Sequence, residues 1–414
     1  MDSRALVELQ RKPFRERLEA QLELHEAEAR QGSLLGRVGD GPVEPLQPYR
    51  ELLGDGFSPV LNFGTNNYLG LATHPEVRRR VCAAVMELGV GTGGSPAFSG
   101  YTRRHGDLER RLAALAGHED AVLLPSGFMA NLCWVTGLLR RQDVLVYDRY
   151  SHASVVDAVK MAGIPFFTFD PDDLEAFDAL LQEVRRRRAD NAQIFSTLEG
   201  VRSVDGSIAD VQRWVETCRK HDVVTILDDA HGLGTAGATG RGTLEHLGLL
   251  GQVDFRMSTC SKGLGAQGAF VSGSAKAILY LRSLAHPYVF TTALAHPTVA
   301  AIAAALDVLD SEPQLLAALR ANVAHLRDAL RAVGLRTGDA PAGIIPVYLP
   351  DGIARPFNRA LYQAGLFAHV MEYPMVPPGM ERVRLTVMAT HTRDNLDHAV
   401  DIFQRVARRF ELVP

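Results

Sequence analysis

A lysine surrounded by small residues is the most informative chemical feature of this sequence. Lys262 lies between Ser261 and Gly263, within a run of hydroxyl residues and glycines over residues 258–265. Small neighbours leave room for a bulky, phosphate-bearing ligand to approach the backbone. A lysine amine can form a Schiff base with an aldehyde, and its pKa falls readily when it is desolvated. The run therefore indicates a lysine that holds an aldehyde cofactor.

A second polar segment, residues 228–232, follows the apolar run over residues 223–227. Asp228 and Asp229 are adjacent, so in extended backbone their side chains point in opposite directions and only one can face a ligand. A carboxylate beside a pyridine nitrogen would keep that ring protonated and improve it as an electron acceptor. Together with Lys262, the segment suggests pyridoxal 5'-phosphate chemistry, in which the protein orients the cofactor. The alternative is a helix-capping aspartate followed by a surface histidine, which is a common arrangement.

The elements that must position these residues read as a mostly parallel sheet with helices on both faces. From Leu61 onward, short β-branched runs alternate with amphipathic helical patterns. Strands are expected at residues 121–124, 144–147, 166–169, 193–198, 223–227, 255–258 and 269–272.

The pattern changes after about residue 296, which predicts a separate α+β domain. Two Ala- and Leu-rich helices come first, followed by strands at residues 344–349, 367–370 and 383–388 and a final helix from Thr392. Upstream of the sheet, residues 13–30 are predicted to be a solvated helix and residues 32–59 a Gly- and Pro-rich loop. We therefore expect an N-terminal helical arm and loop over residues 1–60, a large α/β domain that binds pyridoxal phosphate over 61–295, and a small α+β domain over 296–414.

Three polar segments are predicted to meet at one edge of the large sheet. Asp228, Lys262 and residues 126–128 each follow the end of a predicted strand, and ligands bind beyond the carboxyl ends of parallel strands. Ser126 and Gly127 also open a predicted helix, whose free backbone N–H groups could hold a phosphate. Simple turn chemistry would explain Ser-Gly by itself, but the convergence of the three segments favours a binding site.

The composition is typical of a globular protein and gives no sign of nucleic-acid binding, disulfide bonds or a membrane span. Of 414 residues, 46% are hydrophobic and 22% charged, as in ordinary globular proteins, and the net charge of −4 gives no reason to expect nucleic acid. The four cysteines are scattered without a CxxC motif, which indicates neither a disulfide framework nor a metal site. No apolar stretch approaches the ~20 residues of a membrane span, and residues 1–30 lack the apolar core of a signal peptide. We expect a cytoplasmic protein.

The order of motifs resembles the α-oxoamine synthase family of fold type I pyridoxal phosphate enzymes. Its members include serine palmitoyltransferase, aminooxononanoate synthase, aminolevulinate synthase and aminoketobutyrate ligase. The resemblance covers roughly residues 60–405. Its motifs are residues 66–71, 74–75, 91–95, 100–109, 126–128, 151–154, 199–201, 203–206, 228–232, 258–265, 291–292 and 384–391.

The resemblance implies a role for each matching residue. Lys262 would form the Schiff base and later carry the Cα proton, and Asp228 would pair with the pyridine nitrogen. His152 would stack on the ring, while Ser203 and His231 would hydrogen-bond near the phenolic oxygen. Of these, Lys262, Asp228, His152 and His231 are the catalytic candidates. The remaining residues would position the cofactor and its phosphate (Ser126, Gly127, Phe128, Thr259, and Thr291 or Thr292 from a second subunit) or hold the amino-acid carboxylate (Asn66, Arg384).

The activity implied by the resemblance is a decarboxylative condensation. A homodimer would join a small amino acid to an acyl thioester, carried by coenzyme A or an acyl carrier protein, and give an α-amino ketone. The sequence does not distinguish serine, alanine and glycine, or the length of the acyl chain. Two alternatives stay open: another fold type I reaction, such as transamination or aldolase-type cleavage, and a catalytically silent partner subunit. Retention of the four catalytic candidates argues against the silent subunit.

Two departures from the family pattern concern the predicted acyl entrance. Residues 94–96 read Gly-Ser-Pro where many relatives have Gly-Ser-Arg, and residues 295–297 read Ala-His-Pro where relatives usually have Pro-Pro. Residues 387–392 are more similar to bacterial serine palmitoyltransferase than to the aminooxononanoate branch. The basic clusters at 78–80, 140–141 and 185–188 are interpreted as solvated helix faces, or alternatively as a surface for the phosphates of coenzyme A or an acidic carrier protein.

Overall fold

Seven strands form the central sheet of the computed structural model, which describes residues 11–30, 37–51, 56–373 and 375–413. Their spatial order is β4-β10-β9-β8-β7-β5-β6, and β10 is antiparallel to both neighbours while the other pairs are parallel. The predicted, mostly parallel sheet is confirmed, and each predicted strand agrees with the structure to within one residue at each end. The strands are β4 (Asp120–Leu124), β5 (Val144–Asp148), β6 (Phe166–Phe169), β7 (Ile194–Glu199), β8 (Val223–Asp228), β9 (Phe255–Thr259) and β10 (Ala269–Gly273).

Helices cover both faces of this sheet. Side chains alternate along β5, so that Val144 and Val146 pack into one apolar cluster and Leu145 and Tyr147 into another. The helices Gly127–Leu138 and Ala153–Ala162 contribute to the second cluster, and the helices Leu174–Arg187 and Val211–Lys220 contribute to the first. The helices from Pro75 to Val289 are α2 (Pro75–Leu88), α3 (Arg103–Ala116), α4 (Gly127–Leu138), α5 (Ala153–Ala162), α6 (Leu174–Arg187), α7 (Val211–Lys220), α8 (Thr243–His246), α9 (Ala275–Leu284) and α10 (His286–Val289).

The C-terminal part of the chain packs helices against a small antiparallel sheet of order β11-β14-β13. Its predicted helices and strands are present, with boundaries that differ by a few residues. The division of the chain into three domains stays a prediction. The elements are α11 (His296–Ser311), α12 (Gln314–Ala332), β11 (Ile344–Tyr348), α13 (Ala354–Gln363), β12 (Leu366–Phe367), β13 (His369–Met371), β14 (Arg382–Thr386) and α14 (Arg393–Arg409).

The N-terminal segment departs from the predicted loop. Helix α1 (Phe14–Arg30) lies where a helix was expected, but the described part of residues 32–59 contributes β1 (Arg37–Gly39), β2 (Leu46–Glu51) and the start of β3 (Ser58–Asn62). These strands pair in antiparallel fashion, and β12 joins β3 in parallel. The loop prediction rested on the proline content. Pro48 and Pro59, however, lie opposite each other, where residues without an N–H fit a non-hydrogen-bonded pair.

Three further properties bear on function. None of the described helices is long and apolar enough to cross a membrane. Among the same residues, no group of histidine, cysteine or acidic side chains could hold a metal ion. All four cysteines, Cys82, Cys133, Cys218 and Cys260, have free thiols.

Candidate active site

A cavity of about 160 Å³ opens where β5, β7, β8 and β9 end. The sequence predicted that polar segments would converge here, and most of the candidate residues do line this cavity. Ser126 lies next to it as the cap of α4, while Asn66, Arg384, Thr291 and Thr292 do not line it. The predicted residues in its wall are Gly127, Phe128, His152, Ser203, Asp228, His231, Thr259 and Lys262.

Lys262 is presented by a tight turn between β9 and β10. The Cys260 N–H donates to the Gly268 carbonyl, and the Gly265 N–H donates to the Lys262 carbonyl. Gly265 has φ +63°, and a Cβ atom there would lie 2.3 Å from the Ala72 nitrogen, so only glycine fits. Burial lowers the pKa of Lys262, which favours the neutral, nucleophilic amine, although the nearby carboxylates of Asp228 and Glu199 oppose this shift.

The two adjacent aspartates have separate surroundings. Asp228 faces the cavity, where its Oδ1 accepts the Ala230 N–H at 3.1 Å and its Oδ2 accepts from Asn131 Nδ2 at 3.3 Å. Asp229 points away and forms a fully buried ion pair with Arg256 at 2.9 Å, and it also accepts from the Thr243 hydroxyl at 2.6 Å. Asp228 is therefore the aspartate available to a ligand.

His152 caps α5 and is held in one orientation. Its Nδ1 accepts the Ser154 N–H at 3.2 Å, so in the neutral ring Nε2 carries the proton. Ser154 Oγ lies 2.7 Å from the same nitrogen and accepts from Asn131 Nδ2 at 2.9 Å. Asn131 thus links Asp228 to the partner of His152. No motif in the sequence gave Asn131 a role, although its position four residues after Gly127 places it on the same helix face.

His231 is a buried, neutral imidazole. Burial lowers its pKa well below the usual value, and the cations Lys262 and Arg384 add to the effect. Its Nδ1 lies 2.8 Å from the Tyr68 hydroxyl, while its Nε2 has no hydrogen-bond partner among the described residues. Tyr68 lay within a matched motif, but nothing in the sequence linked it to a histidine 163 residues away.

The start of α4 offers an anion site. Ser126 Oγ accepts the Met129 N–H at 3.2 Å, and the Ser126 carbonyl accepts the Ala130 N–H. The N–H groups of Gly127 and Phe128 lie in the first turn of this helix, where the helix itself offers no acceptor, and no acceptor for them is found elsewhere in the described part of the chain. Both residues line the cavity. A Cβ atom on Gly127 would lie 2.5 Å from Thr259 Cγ2, so glycine allows this helix start to approach the end of β9.

Ser203 links a further predicted residue, Arg384, to the cavity wall. The Ser203 N–H donates to Glu199 Oε2 at 3.0 Å, and its carbonyl accepts from Arg384 Nη1 at 2.7 Å. Glu199 also lines the cavity and was assigned no role from the sequence. Both the Nε atom of Arg384 and the Oδ1 atom of Asn66 are buried, and neither has a hydrogen-bond partner among the described residues. Such atoms are costly unless a ligand satisfies them.

Thr291 and Thr292 line a different, smaller cavity, together with Tyr101 and His105. His105 Nε2 lies 2.9 Å from the Leu294 carbonyl, which fastens this segment to α3. Within one chain the two threonines are therefore separate from the Lys262 cavity, and their contact with a second subunit's cofactor stays a prediction.

Comparisons with known proteins agree on the kind of chain this is. The family model for aminotransferase class I and II matches residues 58–403. The 8-amino-7-oxononanoate synthase of Fervidobacterium nodosum is 33% identical over 356 residues, covering 86% of this chain and 90% of that protein. The solved structure of Sphingomonas wittichii serine palmitoyltransferase has a TM-score of 0.89 and 28% identity, covering 97% of this chain and 100% of that one. A high-resolution structure of SPT with PLP has the same TM-score and 27% identity over 97% of this chain.

Proposed function

Because this chain belongs to the α-oxoamine synthase family, within aminotransferase class I and II, we propose that the cavity at Lys262 is its active site. The protein is a pyridoxal phosphate-dependent enzyme that condenses an amino acid with an acyl thioester, with loss of carbon dioxide. This placement of the active site is supported by one observation, which is that a single cavity is lined by Lys262, Asp228, His152 and His231.

The residues of this cavity suit the cofactor. The unpaired N–H groups at the start of α4 suit a phosphate, and Lys262 suits an aldehyde. The Asp228 carboxylate, fixed by two hydrogen bonds, suits a protonated pyridine nitrogen. When bound, the cofactor supplies an electron sink for a carbanion at the amino-acid Cα.

The protein's own groups would orient the substrate and move protons. Lys262 would take the proton from Cα and later return it, for which a lowered pKa keeps part of the amine neutral. His231 would offer Nε2 near the phenolic oxygen, and His152, fixed by Ser154, would lie flat against the ring. Arg384 and Asn66 would use their unpaired buried atoms to hold the amino-acid carboxylate.

The role of Arg384 leads to a prediction on substrate binding. Arg384→Lys keeps the charge but loses the planar fork, so we expect KM for the amino acid to rise about 10- to 100-fold with a smaller change in kcat. Arg382→Lys is a matched control, because Arg382 is buried on the same strand but pairs with Asp205. Steady-state kinetics of both variants measure KM for the amino acid and kcat, and unfolding midpoints confirm that both variants are folded. Equal KM values for Arg384→Lys and the wild type would contradict the assignment.

The identities of the amino acid and of the acyl donor are tested by titration. Absorbance spectra of the holoprotein should shift with one of serine, alanine or glycine, and product should then form only when an acyl thioester is added. Acyl-coenzyme A and acyl carrier protein donors of different chain length come next. Product that forms without a thioester would favour transamination or aldolase-type cleavage. A colourless protein that does not regain absorbance when pyridoxal phosphate is added would contradict the proposal that the chain is an enzyme.

We also propose a homodimer that works in the cytoplasm. Phe98 and Phe290 are 75% and 70% exposed on adjoining segments, beside Thr291 and Thr292, which a second subunit would cover. The four free thiols are in keeping with a reducing compartment. Light scattering of the holoprotein should give twice the 45.1 kDa chain mass. Phe290→Glu should shift this value toward that of a single chain, and a monomeric wild type would contradict the dimer.

A further inference from the structure

We propose that Glu199 is a positioning residue that must stay protonated for the amino-acid carboxylate to bind at Arg384, so that its ionisation sets the alkaline limit of substrate binding. The inference rests on the proposed function and concerns the same cavity. It assigns a role to a residue of the cavity wall that lies in the matched motif 199–201 but takes no part in the proposed proton transfers.

Glu199 ends β7 beside Asp228, its register partner on β8. The residue is 5% exposed and shares the cavity wall with Lys262. Its Oε2 accepts the Ser203 N–H at 3.0 Å, whereas Oε1 accepts no hydrogen bond from any described residue. A protonated carboxyl would therefore keep one oxygen as an acceptor for Ser203 and turn the other toward the cavity as a donor.

Ser203 connects this carboxyl to Arg384. Its N–H is bound to Glu199, and its carbonyl accepts from Arg384 Nη1 at 2.7 Å. Within the described chain no ion pair closer than 4.0 Å joins Glu199 to Arg384, and Arg384 Nε is buried without a partner. An ionised Glu199 would attract the guanidinium and repel an incoming carboxylate, while a neutral one leaves Arg384 free.

The charges around Glu199 favour its neutral form. The groups that face it are Asp148 from β5, Asp228 from β8, Lys262 from the turn after β9 and Arg384 from β14. Burial raises the pKa of Glu199 to about 8, and the carboxylates of Asp148 and Asp228 add to the rise while Lys262 opposes it.

Asp148 and Glu199 form a pair of neighbouring buried carboxyl groups, and we assign the negative charge of this pair to Asp148. Its two oxygens accept the backbone N–H groups of Tyr150 at 2.6 Å and Glu199 at 3.0 Å, whereas the Glu199 carboxyl accepts one. Hydrogen bonds to a carboxylate favour its charged form, so the better-bonded member ionises first.

The sign of the linkage follows from the raised pKa. The folded apoprotein binds this proton more tightly than the unfolded chain, so Glu199 contributes stability below its unfolded pKa and loses it as pH rises through about 8. Glu199→Gln removes the titration and keeps both an acceptor and a donor. Between pH 6 and pH 9 the variant apoprotein should therefore lose less stability than the wild type.

The experiment measures amino-acid binding across pH 6.5 to 9.5 in three holoproteins: wild type, Glu199→Gln and Glu245→Gln. The ligand is whichever of serine, alanine or glycine shifts the absorbance at pH 7, and its own amine titrates equally in all three. We expect the dissociation constant of the wild type to rise by up to about tenfold per pH unit above the inflection, relative to Glu199→Gln. Glu245→Gln is the matched control, because its carboxyl accepts backbone N–H groups outside the cavity, and it should follow the wild type.

The possible outcomes test the role of Glu199 and the proposed enzyme function separately. Equal pH profiles for wild type and Glu199→Gln, or equal pH dependence of their apoprotein stability, would overturn the role of Glu199. If no amino acid shifts the spectrum at any pH, the proposed function itself is contradicted. If Glu199→Gln fails to fold, Glu199→Asp replaces it in the experiment, because this variant keeps a carboxyl group that titrates. Its dissociation constant for the amino acid must still rise at alkaline pH. A constant that stays level there would overturn the inference.

Discussion

Replacing Lys262 with alanine should lower turnover by about 10⁴-fold or more, because one side chain serves as both the covalent anchor and the base at Cα. Burial lowers the pKa of this amine, which donates a long hydrogen bond to Thr259 Oγ1 at 3.5 Å. Neither His152 nor His231 supplies an equivalent amine. The residual activity should therefore approach that of the free cofactor.

Kinetics and absorbance together test this prediction. Lys262→Ala should still bind pyridoxal phosphate through the phosphate and pyridine contacts, but dialysis should remove it faster than from the wild type. Lys276→Ala, which changes an exposed lysine at the start of α9, should match the wild type in both measurements. Turnover within tenfold of the wild type in Lys262→Ala would exclude this lysine as the base.

Local patterns predicted the site because its parts lie at the ends of strands. The strand that ends at Asp228 and the turn that carries Lys262 are both encoded by contiguous residues, and parallel strands place their carboxyl ends at the same edge. The opposite orientations of Asp228 and Asp229 likewise follow from the pleat of a strand, and the structure shows them.

Side chains that arrive from distant segments could not be predicted in this way. Tyr68 reaches His231 across 163 residues, and Arg384 reaches Ser203 across 181. Such pairings depend on how segments that are distant along the chain pack against the large sheet, which hydrophobic periodicity does not encode. Glu199 was hidden for another reason. A glutamate at a strand end is usually solvated, whereas burial of this carboxyl and the neighbouring carboxylates of Asp148 and Asp228 raise its pKa.

The Asp228→Asn variant removes the negative charge of this side chain while it keeps nearly the same size and shape. Asparagine retains an oxygen that can accept the Ala230 N–H, but it carries no negative charge to keep a pyridine nitrogen protonated. We expect kcat to fall by about 10³-fold, the scale seen when a preorganised electrostatic contact is removed. The cofactor should also dissociate more readily, which fluorescence titration of the apoprotein measures.

Asp229→Asn is the natural comparison, because it makes the same chemical change one residue away. Asp229 contacts Arg256 and Thr243 rather than the cavity, so its loss leaves a buried guanidinium without its counter-charge. We expect the unfolding free energy of this variant to fall by about 3–5 kcal/mol while kcat per folded molecule changes little. Asp228→Asn should show the reverse pattern, with small losses of stability and large losses of turnover. If both variants lost turnover equally, the two aspartates would not be divided between chemistry and folding, and the assignment of Asp228 to the pyridine nitrogen would fail.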